Sequence, residues 1–417
     1  MSRIDITITE NPHADADMAF VENITDKVDG VFNWTIEAYG GFATAHFEMV
    51  VPEADAWEML NRIGKRVVFT HPEAPDSSLI CWEGMVQTVT VDDGGSSISR
   101  SLDNCYNTIR VNFTGIDTGT RPPSPYGGGS GYMGTDVSQD ATSVAAYGKR
   151  YLLYQAGTLY ARGYNALISQ GNNMRDLFLQ QFANPRAVAN TMRRGGGAHG
   201  SSVRVSVECV GFSYEFAVSF HSETSPSDAT ISSILSAIIS NTNYGYFGTG
   251  TPPLPIGFPS TWKLDMISTD TTGITANTRT YARYNFSDKT TRTYLDELTR
   301  LGDGATGRRV FWGVYEGRKF TTTVEPSTVA YTTRRGDPSE AIYDATTGNV
   351  VRPWLVRPGN IISVPDLIPD ETTHSTVLDN ARTLTIGLVE FTAPSTVVLS
   401  PVPGDPSGMW GTARLGA

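Results

Sequence analysis

Charged residues are scarce in this chain, and so are cysteines and long apolar runs. Asp, Glu, Lys and Arg make up 18% of the 417 residues, below the usual share of about a quarter. Cys81, Cys105 and Cys209 stand alone, without a neighbouring cysteine or histidine at metal-ligand spacing. This spacing excludes a zinc-finger or disulfide framework and predicts three buried thiols. No stretch reaches about 18 apolar residues, so no transmembrane helix is expected.

Positive charge is also in short supply. Lys and Arg number 32 against 43 Asp and Glu, which gives a formal net charge of −11. General attraction to nucleic-acid phosphate is therefore not expected, although DNA could still slide past such a surface. The N-terminus, MSRIDITITENPHADADM, carries acidic residues where a signal peptide needs a basic end and an apolar run. We expect a protein that is made in a cytoplasm and stays soluble there.

Glycine and proline are plentiful instead, with 41 and 23 residues, and this composition favours many short strands joined by turns. The stretch FNWTIEAYGGFATAHFEMVV, residues 32–51, alternates apolar and polar residues on both sides of Tyr39-Gly40-Gly41. Alternation with period two predicts a β-hairpin. Its apolar face would hold Phe32, Trp34, Ile36, Ala38, Ala43, Ala45, Phe47 and Met49, and its polar face Asn33, Thr35, Glu37, Thr44, His46 and Glu48.

Apolar residues at helical spacing predict four helices. Gly64 and Gly302 would end the first and the last in left-handed C-caps. The second would be capped by Asn172 or Asn173 and stopped by Pro185, and the third would follow a Ser or Asp cap. The four apolar faces are Trp57, Leu60 and Ile63; Met174, Leu177, Phe178 and Phe182; Ile231, Ile234, Leu235, Ile238 and Ile239; and Tyr294, Leu295, Leu298 and Leu301.

The order of elements predicts a mainly β chain with an α+β insertion. Two more hairpins are expected at Asp93-Gly94 and Glu316-Gly317, and the C-terminal eighty or so residues alternate as strands only. A chain of this length holds two to four domains. We place them as a first small barrel or sandwich at 1–118, a loop or linker with a connecting helix at 119–199, a discontinuous second barrel at 200–225 with 345–403, an inserted mixed α/β domain at 226–344, and a C-terminal tail at 404–417.

One motif is typical of catalysis, but its context favours a turn. Residues 115–120, GIDTGT, match the Asp-Thr-Gly signature of aspartic proteases, in which two carboxylates share a proton. The sequence holds no second such motif, and Asp117 comes before a Pro/Gly-rich stretch. A dimer could supply a second carboxylate. The interpretation that the context favours is a turn in which Asp117 accepts hydrogen bonds from its own backbone.

The remaining chemical motifs lack the context that their chemistry needs. Two segments match GxGxxG, at Gly129, Gly131 and Gly134 and at Gly302, Gly304 and Gly307, but neither follows a strand and precedes a helix, so both are interpreted as loop glycines. The six histidines are scattered, and His46 is interpreted as a surface or interface residue. The sequence therefore predicts no catalytic, cofactor-binding or metal-ligating residues, and no cofactor.

Four stretches, taken in order, carry a resemblance to a known family. They are residues 32–51 with GKRVVFTH and CWEGMVQTVTV; NTIRVNFTG with SVAAYGKRYLLYQAGTLYARGYNALISQGNNMRDLFLQQFANPR; VRVSVECVGFSYEFAVSF with ISSILSAIIS; and YLDELTRLGDGATGRRVFWGVYEGRKFTTTVEP leading to RPGNIISVPDL. Together they cover most of the chain. In this order the chain resembles the baseplate hub, or tail hub, proteins of tailed bacteriophages.

The resemblance implies a structural virion protein with no enzymatic activity. It implies a homotrimer in which each subunit contributes two tail-tube-type β-barrels, so that three chains mimic a six-fold ring. The distal tail protein or tail tube would lie above, the spike or fibre proteins below, and the tape-measure protein and passing DNA inside the channel. The polar face at Asn33, Thr35 and Glu37 would suit such a wet lumen. The protein would be found at the virion tail tip, after assembly in the cytoplasm of the host bacterium.

Two other interpretations of the sequence remain open at this point. A distal tail protein, or another tail-tip ring protein, would form hexamers with one tube-like barrel per chain. A different functional class, a carbohydrate-binding β-sandwich adhesin, is favoured by Trp34, Trp57, Trp82 and the 18 tyrosines. Against it, an aromatic residue in an alternating strand is usually part of the core.

Overall fold

The architecture is that of a computed structural model covering most of the chain. The residues it describes are 4–9, 20–71, 80–119, 131–192, 202–219, 229–240, 264, 266–281, 290–334, 341–364, 383–393, 396–403 and 413–415. Its helices are α1 (Glu53–Met59), α2 (Ala141–Tyr147), α3 (Tyr164–Phe182), α4 (Tyr214–Val218), α5 (Ile231–Ile239) and α6 (Thr291–Arg300).

The strands outnumber the helices, as the composition predicts. They are β1 (Asp5–Thr9), β2 (Phe20–Asn23), β3 (Val28–Glu37), β4 (Tyr39–Val51), β5 (Arg66–Thr70), β6 (Ile80–Asp92), β7 (Ser96–Ser101), β8 (Thr108–Asp117), β9 (Gly131–Gly134), β10 (Ser138–Gln139), β11 (Tyr151–Ala161), β12 (Ala187–Met192), β13 (Val203–Gly211), β14 (Ala229–Thr230), β15 (Thr280–Tyr281), β16 (Val310–Tyr315), β17 (Lys319–Val324), β18 (Val329–Thr332), β19 (Ile342–Asp344), β20 (Val350–Val351), β21 (Ile361–Ser363), β22 (Thr383–Thr392), β23 (Thr396–Pro401) and β24 (Ala413–Leu415).

Most of these strands join one large mixed sheet, which curls into a half-barrel. Its central run is β1–β5–β6–β13–β4–β3–β22–β23, in which all neighbours are antiparallel. β7 and β12 extend the sheet beside the second half of β6. β16 pairs in parallel with the start of β4. The prediction of a mainly β chain is confirmed.

The hairpin predicted at residues 32–51 is confirmed as β3 and β4, with the chain reversing through Gly40 and Gly41 at φ 138° and 78°. Its apolar face lies inside the curl, except that a register shift puts Phe42 into the core in place of the predicted Ala43. The ring of Trp34 stacks on Phe391 of β22 at 4.2 Å between centroids, and it lies 5.5 Å from Phe69 of β5. Because β5 is not a sheet neighbour of β3, the curl must bring these strands face to face across the core.

Strand β13 corrects one predicted pairing. Residues 200–225 were expected to build a second barrel with 345–403, but β13 has β4 on one edge and β6 on the other. Both edges of a strand are then occupied, and no edge is left for the C-terminal strands. Those strands join the same sheet elsewhere, because β22 pairs with β3.

The region predicted as linker contributes three strands to a second, smaller sheet. β8 is its centre, with β9 and β10 antiparallel on one edge and β11 parallel on the other. β8 was predicted as part of the first barrel at 1–118, and no strand was predicted at the position of β11. Helix α3 covers one face of this small sheet, where Leu167 packs against Val111, Phe113 and Met133 in a core of its own.

The predicted helices are found, with some corrected ends and faces. α3 begins at Tyr164, so Asn172 and Asn173 lie within it and do not cap it. The prediction missed its first two turns because they depend on packing Leu167 against the small sheet. α3 stops at Phe182, ahead of Pro185, as predicted. Thr230 caps α5 in place of the predicted Ser or Asp, with its hydroxyl accepting from the Ser233 amide.

The apolar faces of the helices follow the prediction, except for Leu177 of α3, which is 51% exposed, and for one tryptophan. All five aliphatic residues of α5 are buried, and Leu295 and Leu298 of α6 are fully buried. Gly64 and Gly302 have the expected positive φ, but α1 ends at Met59, five residues before Gly64, and a short 3₁₀ turn follows it. In α1, however, Trp57 is 38% exposed, and its Nε1 donates to Glu53 one turn earlier.

The inserted domain predicted at 226–344 does not have a separate core among the described residues. The buried side chains of α5 and α6, and Trp312 and Phe320 of β16 and β17, belong to the same contiguous core as the large sheet. Phe216 of α4 sits edge-on to both rings, 5.6 Å from Trp312 and 5.8 Å from Phe320. The middle helices therefore pack onto the half-barrel.

Candidate functional site

The broadest candidate surface is the side of the large sheet that faces away from the core, which we call the outer face. One register row crosses six strands with a polar side chain at every position. Alternation puts the neighbouring residues of each strand into the core, so the same pattern that builds the core also makes this face polar. The row consists of Thr392, Asn33, His46, Glu208, Thr88 and Ser101.

Carboxylates dominate the charge of the outer face. Arg204 lies among them, and its Nη1 is 3.2 Å from Glu48 Oε2 and so forms an exposed ion pair. His46 Nε2 lies 3.8 Å from the other oxygen of Glu48. The carboxylates are Glu37, Glu48, Asp92, Glu208 and Glu390. The structure thus places the predicted polar residues of the hairpin on one broad acidic surface.

The end of the hairpin is tied to helix α6. Arg292 Nη2 donates to Glu37 Oε2 at 3.1 Å and to the Tyr39 carbonyl at 3.2 Å. The same guanidinium lies 6.0 Å from the centre of the Trp312 ring. This contact fixes the turn of the hairpin against the middle of the chain, and it sets one limit of the outer face.

A buried ionic cluster lies beneath the sheet and was not predicted. Glu83 of β6 is 1% exposed and accepts from Arg66 Nε at 2.8 Å and from the Gly317 amide at 2.9 Å. Arg318 Nε approaches the same carboxylate at 3.6 Å, and its guanidinium lies 4.3 Å from the centre of the Phe212 ring. Burial is the main cause that lowers the pKa of Arg318 to about 10.

The cluster joins parts of the chain that are far apart in sequence. Glu83 and Gly317 are 234 residues apart, and Arg318 takes a positive φ of 61° to reach inward. The signal in the sequence was a lone carboxylate within the apolar run ICWEGMV. A buried acid needs charged or hydrogen-bonding partners, but the sequence does not indicate which residues supply them. Among the described residues the contacts of Glu83 are internal, which indicates a structural role.

The Asp-Thr-Gly motif forms the predicted turn. Asp117 Oδ1 accepts from the Gly119 amide and from the Gly163 amide, each at 2.8 Å. The bond from Gly163, followed by that from Gly119, lowers the pKa of Asp117 below its usual value. The carboxylate links the end of β8 to the start of α3.

The other motifs are placed as follows. Gly302, Gly304 and Gly307 follow α6 and precede β16, the reverse of a dinucleotide fingerprint, as predicted. Gly131 and Gly134 lie in β9 and Gly129 lies outside the described residues, so the interpretation of that copy as loop is wrong where it can be checked. His71 is buried, with its ring stacked on Trp354 at 4.7 Å. His13, His199, His221 and His374 lie outside the described residues.

The cysteines and the tryptophans complete the residues that the sequence singles out. Cys81, Cys105 and Cys209 are buried free thiols, as predicted, and burial raises the pKa of Cys81 to about 12. Trp34 and Trp82 are fully buried, so they form core and not a sugar-binding platform.

Two kinds of feature are absent from the described residues. No three His, Cys, Asp or Glu side chains in this part of the chain come together as metal ligands. No helix within it has the length and apolar character to cross a membrane. Comparison of the sequence with protein-family models and with curated proteins gives no match.

Proposed function

We propose that the chain is a structural virion protein, the trimeric hub of a bacteriophage tail tip. The observation that carries this proposal is the four-stretch resemblance. Three copies form a ring that connects the distal tail protein or tail tube to the spike or fibre proteins. The tape-measure protein occupies the channel, and DNA passes through it during ejection without specific binding. The ring belongs to the virion tail tip and assembles in the host cytoplasm.

The outer face supports a role as channel lining. A ring subunit needs a broad sheet with one face in its own core and the other in water, and the row from Thr392 to Ser101 meets that need. The carboxylates of this face repel DNA phosphates, so DNA would move past without being held. The formal net charge of −11 acts in the same direction.

The finer architecture belongs to the same proposal. Each subunit contributes two tail-tube-type barrels, with an inserted mixed α/β part between them, and three subunits then approximate six-fold symmetry. The curl of the large sheet into a half-barrel supports this proposal. Because β13 belongs to that sheet, the second barrel is built without it.

The small sheet offers a surface for contact between subunits. α3 covers one face of it, and the opposite face exposes Thr114, Tyr132, Gln155, Thr158 and Tyr160. β8 and β11 are parallel, and parallel strands are usually covered on both faces. Tyr132 is 46% exposed and Tyr160 is 60% exposed, and tyrosine is enriched in protein interfaces. We assign this open face to the contact with the next subunit.

A charge placed on the open face tests this assignment. In Tyr160→Glu the carboxylate would be desolvated in the interface, so we expect trimer dissociation to become at least about tenfold more favourable. Val350→Glu is the matched control, since Val350 is 61% exposed on strand β20, which belongs to the large sheet. The measurement is the fraction of three-fold rings in class-averaged electron micrographs of each variant.

The symmetry of those images also separates the alternatives. Three-fold rings that are lost in Tyr160→Glu and kept in Val350→Glu support the hub and the interface. Six-fold rings of the unmodified protein would support a distal tail protein instead. A monomer of the unmodified protein that binds sugars would support the adhesin.

A further inference from the structure

A groove lies where the large sheet meets the C-terminal end of α3, and we call it the helix groove. Its volume is about 460 Å³, within the range of about 300–1,000 Å³ usual for ligand sites. One wall comes from β7 and β12, and the other from the residues at the end of α3 and just after it. The side chains that matter here are Asn104, Gln181, Phe182, Asn184, Arg186 and Asn190.

The polar groups of the helix groove are available to a ligand. In the described part of the chain, the side chains of Asn104, Gln181, Asn184 and Arg186 make no hydrogen bond to protein groups. The Asn190 amide oxygen accepts from Ser99 at 3.1 Å, which leaves its NH₂ group to donate. Each side-chain amide can both donate and accept, which is the pattern that vicinal sugar hydroxyls and acetamido groups require.

Apolar surface accompanies these amides. The half-buried ring of Phe182 and the 57% exposed side chain of Val188 both line the groove. A sugar ring has apolar C–H faces and polar edges, so it can pack against such groups while its hydroxyls reach the amides. A mixed lining of this kind fits a saccharide better than a purely apolar ligand.

The charge of the groove lining indicates which class of ligand it can bind. Arg186 is the one charged residue lining the groove in the described part of the chain, although the whole chain is acidic. No described protein group pairs with its guanidinium, which can bind a carboxylate through two parallel hydrogen bonds. A nucleotide or nucleic acid would need more positive charge than one arginine supplies.

The segment that carries these groups is held in place by its backbone. The Tyr106 amide donates to the Phe182 carbonyl at 2.8 Å, and Arg100 Nε donates to the Pro185 carbonyl at 3.3 Å. The Cys105 thiol lies 3.2 Å from the Ala183 carbonyl. The backbone of the groove is therefore fixed before a ligand binds, and the exposed side chains alone lose conformational freedom on binding.

We propose that the helix groove binds a short acidic oligosaccharide, with its carboxylate on Arg186 and its hydroxyl or acetamido groups on Asn104, Gln181 and Asn184. This is a binding site beyond the proposed role in the ring. It requires no ring assembly, so it can be tested whatever the oligomeric state proves to be.

The test compares three defined sugars by saturation-transfer NMR and calorimetry on the full chain. Two are acidic, the disaccharide of N-acetylglucosamine and N-acetylmuramic acid and a hyaluronan tetrasaccharide, and di-N-acetylchitobiose is neutral. The variants are Arg186→Ala and Asn184→Ala. Their controls, Arg162→Ala and Asn165→Ala, change exposed residues at the other end of α3, about 25–30 Å away along a helix of this length.

We expect at least one acidic sugar to bind more tightly than di-N-acetylchitobiose. Arg186→Ala should weaken that binding about tenfold and abolish the preference for acid, as loss of a charge-assisted hydrogen bond does. Asn184→Ala should weaken all binding, and both controls should bind like the unmodified chain. The proposal is overturned if neither acidic sugar binds, if binding is the same in Arg186→Ala, or if Arg162→Ala weakens it equally.

Discussion

At the scale of single residues, Glu83 determines how the β16–β17 turn is attached to the half-barrel. Its carboxylate accepts from Arg66 and from the Gly317 amide with no exposure of its side chain. The alternation of β6 does not predict this, because Cys81 to Gln87 are all buried, so that both faces of the strand are covered. A period-two pattern identifies a half-buried strand, and it fails where a second layer covers the outer side.

Replacing Glu83 by Gln should destabilise the protein strongly. The amide keeps the shape of the side chain but leaves Arg66 and Arg318 without their shared negative charge in the interior. Breaking a buried ion pair from one side costs about 3–5 kcal/mol. The free energy of unfolding in urea measures the loss.

The matched control for this change is Glu48→Gln, which breaks the exposed pair with Arg204. Exposed pairs contribute about 0–1 kcal/mol, so this variant should unfold close to the original midpoint. Equal losses in the two variants would contradict the structural role of the buried ionic cluster.

Asp117 gives a prediction for the dependence of stability on pH. Its folded pKa is lowered by the amides of Gly163 and Gly119, so its ionised form is favoured in the folded state. The stabilisation is then complete above the unfolded pKa of about 3.9 and is lost as the pH falls through the lower folded value. Asp117→Ala should therefore differ from the original protein at pH 7, and the difference should shrink towards pH 2.

The pH series is read against two further variants. Asp117→Asn keeps an oxygen that accepts from the two amides, so it should lie between the original and Asp117→Ala at pH 7 and leave assembly intact. Asp29→Ala removes an exposed carboxylate and controls for loss of surface charge. The structural role of Asp117 in the turn would be contradicted by either of two results. One is a difference in stability between the original protein and Asp117→Ala that stays constant with pH, and the other is loss of a protease activity in Asp117→Asn.

At the scale of elements, the sequence predicts the type of element better than its partner. α5 was predicted with all five of its buried residues, because aliphatic spacing alone defines its face. β11 was missed because it interrupts its own alternation with a bulge, where Gly157 has a φ of 71° between Gln155 and Thr158. β8 was found as a strand and given the wrong neighbours, since the alternation within a strand does not specify its partner.

Substitution of Gly41 tests the close pairing of β16 with the start of β4. Its φ is 78°, and a Cβ atom there would come within 2.4 Å of the Val314 carbonyl oxygen. Gly41→Ala should therefore destabilise by more than about 1 kcal/mol, because strain from positive φ is added to a backbone clash.

Gly30 separates those two causes. It has a similar φ of 71° with nothing within 4 Å of the added Cβ, so Gly30→Ala reports the conformational strain alone. Urea unfolding of both variants should show the larger loss for Gly41→Ala. Equal losses would mean that β16 does not press against this turn.

At the scale of the whole molecule, contacts between distant parts of the chain decide the fold. β22 pairs with β3, β13 lies between β4 and β6, and the helices of the middle region share the core of the half-barrel. No local sequence pattern indicates these pairings. The prediction that residues 200–225 form a second barrel with 345–403 is therefore wrong, although the strand predicted there is confirmed as β13. The polar face of the hairpin could be predicted, because it follows from alternation within β3 and β4 alone.

The candidate surfaces also combine residues that local patterns predict with an arrangement that strand pairing determines. The residues of the outer face were predictable one strand at a time, but their alignment into one row required the register of six strands. The open face of the small sheet depends on β8 pairing with β11, which local patterns do not indicate. Surfaces that span several strands are therefore the part that the sequence leaves undetermined.

The mass of the assembled particle tests the central claim most directly. Sedimentation equilibrium of the purified chain, alone and with a distal tail protein present as template, measures that mass without reference to shape. The hub proposal predicts a particle of three times 45.2 kDa in at least one of the two conditions, after the mass of any bound template is subtracted. A monomer or a hexamer under both conditions would contradict it.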